Sequence, residues 1–120
     1  MPPRTNPLKL NPLQLKTLTL LQELGRLVGT PVPGGEGEGA EGGGGVMVNQ
    51  FPHAHGNHFH MGDAVVSTSD ANGLANQSVW VALERKGLIR SMFPNAAIIT
   101  PAGMEYDTGL TDKILHRSDH

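Results

Sequence analysis

The chain has 120 residues, no cysteine and a net charge of −2, so one domain with a modest core is expected, without disulfides, thiolate metal sites or a cysteine nucleophile. Its apolar runs are only a few residues long, which excludes a helical membrane span, and MPPRTNPLKL lacks the apolar stretch of a signal peptide, so a cytoplasmic protein is expected. The slight acidity argues against a general polycation, but residues 1–30 carry +3, 31–70 carry −5, 71–100 carry +2 and the last twenty −2. The basic portions coincide with the expected helices, which suits a local phosphate-contacting face.

Residues 1–9 are proline-rich and expected to fray. The first helix is strongly signalled. Asn11 is placed as N-cap, Pro12 at the first helical position and Gln14 three residues on, a capping box with Leu10 and Leu15 set for a hydrophobic staple. Leu13, Leu20, Leu24 and Leu27 recur at helical spacing, widened by Leu21 and Val28, and Gly29 and Pro31 end the run. This stripe is read as core; a leucine-lined dimer seam is the alternative. Residues 31–45 hold eight glycines and three glutamates, too polar to offset their chain entropy, and are read as a flexible acidic insertion. The insertion contains no Gly-Lys-Ser/Thr sequence, so it is not a nucleotide loop.

Val46-Met47-Val48 begins an extended segment that ends near Phe51-Pro52. Four of the six histidines then fall within eight residues, His53, His55, His58 and His60. On extended chain alternate residues share a face, so His53 with His55, and His58 with His60, are candidate chelating pairs for zinc, copper or nickel. The alternatives are a polar loop rich in histidine, or a loop that responds to pH as imidazoles titrate. Met61–Ser69 is assigned to a second helix, although Val65-Val66 suits a strand equally well. Asp70-Ala71-Asn72-Gly73 would then be the turn into a third helix.

Val79, Ala82 and Leu83 form the apolar stripe of that third helix, with Ala75 one turn before them and Gly87 as its stop. Leu88-Ile89 and Ile98-Ile99 mirror each other across a hairpin with Pro94-Asn95 near its tip. Thr100 and Pro101 open a short last helix in which Met104, Tyr106 and Leu110 complete the core, and residues 109–120 read as a mobile tail with His116 and His120. The Leu83–Ile89 string LERKGLI, followed by Ile99-Thr100-Pro101-Ala102-Gly103, resembles the recognition-helix exit and wing return of MarR- and PadR-type winged helix-turn-helix regulators.

The resemblance implies a mainly helical α+β fold over residues 10–108: long first helix, short strand, helix-turn-helix, two-stranded wing and short C-terminal helix. It further implies a small transcriptional regulator that binds double-stranded DNA, commonly as a homodimer. Asn76, Gln77, Ser78 and Arg85 lie largely outside the apolar stripe, where amide, hydroxyl and guanidinium groups can read base edges. Lys86, Arg90 and Lys16 are the expected phosphate contacts. The segment Arg90–Ala96 offers one cation and an apolar tip, short of the family's basic wings. A protein-interaction module using Trp80, Met92 and Phe93 is therefore the rival reading. No nucleophile motif such as G-x-S-x-G is present, and an enzyme is not expected.

Overall fold

The computed structural model describes residues 7–32, 44–51, 56–62 and 64–117. Its first helix, α1 (Pro12–Val28), starts where its capping box places it. The Asn11 Oδ1 accepts from the Gln14 amide at 2.8 Å, and the Gln14 side chain accepts from the Asn11 amide at 3.0 Å. Together these satisfy two of the amides that a helix start leaves without partners.

The helix then departs from a simple amphipathic stripe, because Thr17–Gly25 is buried all round. A helix enclosed on every side must satisfy its polar groups internally. The Thr17 hydroxyl donates to the Leu13 carbonyl at 2.8 Å. The Thr19 hydroxyl pairs with that of Thr108 at 2.6 Å, and the Gln22 amide donates to the carbonyls of Gly103 and Tyr106 at 2.7 and 2.8 Å. Glu23 pairs with Arg26 at 3.0 Å. The last turn goes the other way: Leu27 and Val28, expected in the core stripe, are 44% and 39% exposed.

Around α1 lie two antiparallel sheets. The strands β1 (Thr30–Pro31), β2 (Val46–Val48), β5 (Ile89–Met92) and β6 (Ala96–Ile99) form one, in the order β1-β2-β6-β5. Val46 is paired with Ile99 and Val48 with Ala97, so the short strand expected before the histidines joins the return strand of the late hairpin. Within that hairpin Ile89 faces Ile99 and Met92 faces Ala96. The second sheet has the order β3-β4-β7, from β3 (His58–Met61), β4 (Ala64–Ser67) and β7 (His116–Arg117).

The helix expected over Met61–Ser69 is not formed. Gly62 takes a left-handed φ of 59° and opens a tight turn between β3 and β4. In β4 the buried Ala64 and Val66 alternate with half-buried Val65 and Ser67, and this period of two decides for strand over helix. The place of the second helix is taken by a 3-10 segment, Thr68–Ala75, which leads through Asn76 into α2 (Gln77–Arg85). Gly73 brings this segment against α1 so closely that a Cβ there would overlap the Thr17 hydroxyl.

Helix α2 ends in a Schellman motif, with the Gly87 amide bonded to the Glu84 carbonyl at 2.9 Å and that of Leu88 to the Leu83 carbonyl at 3.1 Å. Gly87 has a φ of 78°, which explains the glycine. Thr100 caps α3 (Pro101–Glu105) by accepting from the Gly103 amide at 3.0 Å.

Both ends of the described chain are held. The Leu8 amide donates to the Tyr106 hydroxyl at 2.9 Å, in a stretch expected to fray. Instead of a mobile tail, Thr111–Ile114 forms α4, Ile114 and Leu115 are buried, and β7 pairs with β4. The fold is thus α+β, and among the described residues no helix is long and apolar enough to cross a membrane. Most of the acidic segment (33–43) lies outside the described residues.

Candidate nucleic-acid interface

Helix α2 has nine residues, too few to be stable alone in water, so its helicity comes from one packed face. Val79, Trp80 and Leu83 form that face and are buried. Trp80 is the anchor: its ring stands edge-on to Phe93 at 5.0 Å between centroids and tilted to Phe51 at 5.8 Å. Its indole N–H donates to the Gly73 carbonyl at 3.1 Å. Trp80 is 1% exposed, so it cannot belong to the partner-contacting patch expected with Met92 and Phe93.

The opposite face is polar and open. Gln77, Ser78 and Arg85 are exposed, and with Val81 and Ala82 they line a shallow depression of about 420 Å³. Ala82 therefore sits at the margin of the apolar stripe and turns outward, while Ala75, expected one helical turn earlier, is exposed outside α2. Gln77, Val81 and Arg85 follow one another at intervals of four. This single row is about 12 Å long at 1.5 Å per residue. A row of that length fits within a major groove about 12 Å wide.

The remaining site residues divide. Asn76 is the N-cap of α2, its side-chain oxygen accepting from the Ser78 amide at 3.0 Å, so half of its amide is already engaged. Lys86 is exposed at the C-cap, and among the described residues neither Arg85 nor Lys86 is in an ion pair. Arg90 is half-buried on β5, and its Nε is buried without a hydrogen-bond partner among the described residues. Lys16 is not brought to this group as an available charge: its Nζ lies 3.0 Å from the Asp70 carboxylate, bridging α1 to the 3-10 segment.

Two features of the site escaped the sequence reading. Glu84 is placed among the cations, and its carboxylate accepts from the Ser91 amide at 3.2 Å. That bond fastens α2 to the first strand of the hairpin and occupies an amide on the sheet's β5 edge. The second feature is the tie between the helix exit and α3. The Thr100 hydroxyl bonds the Gly87 and Leu88 carbonyls at 2.8 and 3.1 Å, so helix exit and hairpin return are locked together.

Of the four clustered histidines, His53 and His55 lie outside the described residues. His58 and His60 occupy alternate positions of β3, with ring centroids 5.2 Å apart and ring planes at 84°. Among the described residues no group of three or more His, Cys, Asp or Glu is arranged to hold a metal ion. No family model, curated protein or solved structure matches this chain.

Proposed function

We propose that this chain is a small, non-catalytic DNA-binding protein of the winged-helix type, a transcriptional regulator that reads duplex DNA with α2. The observation that carries the reading is the exposed row Gln77–Val81–Arg85, with Ser78 beside it, on a helix that runs directly into a two-stranded hairpin. Gln77 suits adenine, Val81 the methyl group of thymine, and Arg85 guanine. Lys86 and the guanidinium of the half-buried Arg90 supply phosphate contacts.

The strand order supports the same reading. A winged helix pairs the short strand after its first helix with the returning strand of the wing, the relation that β2 has to β6. The helix before the recognition helix is replaced by the β3–β4 hairpin and the 3-10 segment, which packs on α1 in its stead. A homodimer would present two copies of α2 to half-sites about 34 Å apart.

The test is a fluorescence-anisotropy titration of the protein on random duplex DNA at several salt concentrations. Two phosphate contacts per protomer, from Lys86 and Arg90, predict a log–log slope of about −1.8, and twice that for a dimer. Absence of binding at about 50 mM salt, where phosphate contacts are strong, would refute the reading. In that case the exposed Met92, with half-buried Phe93 beside it at the wing tip, favours the interaction module.

A further inference from the structure

We propose that His58 and His60 form a chelating pair for a divalent transition-metal ion, zinc or nickel, on the outer face of the β3–β4–β7 sheet. The proposal is independent of DNA binding and rests on geometry. In β3 the two residues pair with Ser67 and Val65, both half-buried, whereas the next register after His60 joins Met61 to Ala64, both buried. The two imidazoles therefore share the sheet's solvent side. His58 is half-buried, His60 is exposed, and β3 is an edge strand, so an ion can approach from solution.

The spacing fits a shared ion. Zinc takes an imidazole nitrogen at about 2.0–2.1 Å, and the ring centre lies roughly 1.2 Å behind that nitrogen, so two rings on one tetrahedral ion have centres about 5.3 Å apart. The observed separation is 5.2 Å. One of the rings is also oriented by a neighbour. His58 Nδ1 lies 3.4 Å from the Asn57 side-chain oxygen, which as an acceptor holds the proton on Nδ1 and presents the Nε2 lone pair to the ion. Asn57 is itself positioned because its carbonyl accepts from the Thr68 amide at 2.9 Å. Two imidazoles leave coordination positions to water, so the ion remains exchangeable.

The experiment titrates zinc sulfate, and separately nickel chloride, into the full chain. Zinc binding is followed by calorimetry and by the ring nitrogen signals of the histidines. The expected result is one ion per chain at micromolar concentration, with the signals of His58 and His60 moving together. His58→Ala and His60→Ala should each lower affinity at least tenfold, and the double variant should abolish this step. Both side chains lie on the outer face, and far-UV circular dichroism verifies that the variants keep their fold. Asn57→Ala should weaken zinc and shift the tautomer ratio of His58, a change that a purely structural role for Asn57 would not produce. Ring signals that stay fixed up to millimolar zinc would mean that the rings merely pack edge to face, and the proposal fails. It fails equally if the double variant binds zinc as the parent does, or if His53→Ala with His55→Ala removes binding while His58→Ala does not.

Discussion

Replacing Gly73 by alanine tests the contact that sets the height of α2 on the domain. The backbone there is not left-handed, so alanine would by itself stabilise the chain by about 0.4–1 kcal/mol through the unfolded state. Sterics oppose this. A Cβ at position 73 would overlap the Thr17 hydroxyl and lie 3.0 Å from Thr17 Cβ, so rotating the threonine cannot clear it. The hydroxyl is also held by its bond to the Leu13 carbonyl. Overpacking of this kind costs about 1–3 kcal/mol, more than the entropic gain, so a net loss of about 1–2 kcal/mol is expected. Thr17→Ala removes the hydroxyl and leaves only the Cβ approach, which a shift of a few tenths of an ångström relieves. The same Gly73→Ala change should then cost under about 0.5 kcal/mol, a coupling of about 1 kcal/mol between the two sites. Urea unfolding of the four proteins, followed by far-UV circular dichroism and Trp80 fluorescence, measures the cycle. Equal losses in both backgrounds, or a Gly73→Ala protein as stable as the parent, would show that the 3-10 segment does not meet α1 at this point.

Arg85→Ala should weaken duplex binding and leave the log–log salt slope unchanged, as loss of a base contact does; a slope flattened by about 0.9 would place Arg85 on phosphate instead. Lys16→Ala should leave both unchanged, because Asp70 already matches its charge; a flattened slope in anisotropy titrations would contradict that pairing. Glu84→Ala should cost less than about 1 kcal/mol in urea unfolding, since the bond to the Ser91 amide is solvent-exposed. The same variant should strengthen low-salt DNA binding by removing the one carboxylate among three cations, and unchanged affinity would separate this face from the phosphates.

What could be read in advance was local. The Asn11 box, the Gly87 stop, the Thr100 cap and the mirrored isoleucines of the hairpin each depend on a few neighbouring residues, and each is where the sequence places it. Ser67, Val65 and Val66 needed tertiary context: four residues of alternating burial look like a helix turn until the strand that pairs with them is known. The enclosure of α1 was illegible for a related reason. Thr17, Thr19, Gln22 and Glu23 fall outside the leucine stripe, and partners more than eighty residues away, the Thr108 hydroxyl and the carbonyls of Gly103 and Tyr106, help to satisfy the buried Thr19 and Gln22. At the candidate interface, exposure of Gln77, Ser78 and Arg85 followed from helical periodicity. The capture of Lys16 by Asp70 and the burial of Trp80 between Phe51 and Phe93 did not, because each depends on how distant segments meet.

Neither proposed site sits on an element that could stand alone. A nine-residue helix is below the length at which isolated helices persist, and a two-stranded hairpin is marginal in water. The core fixes both. Val79, Trp80 and Leu83 are buried in the same cluster as Leu18, Leu20 and Leu21 of α1, and Met61, Ala64 and Val66 of the β3–β4 hairpin belong to that cluster too. The outward side chains are thereby presented on a backbone whose conformational entropy was already lost on folding. That is the condition under which a few polar contacts yield useful affinity, because little further ordering is charged against them on binding. It also explains how a chain of net charge −2 can offer a cationic face. Arg85 and Lys86 follow the helix, Arg90 follows the strand, and the Schellman turn with its Thr100 clasp holds the helix exit and the hairpin in one piece. The charge that governs attraction to phosphate is then set within about 10 Å, the Debye length near 0.1 M salt, and in the run from Glu84 to Arg90 three cations face one carboxylate.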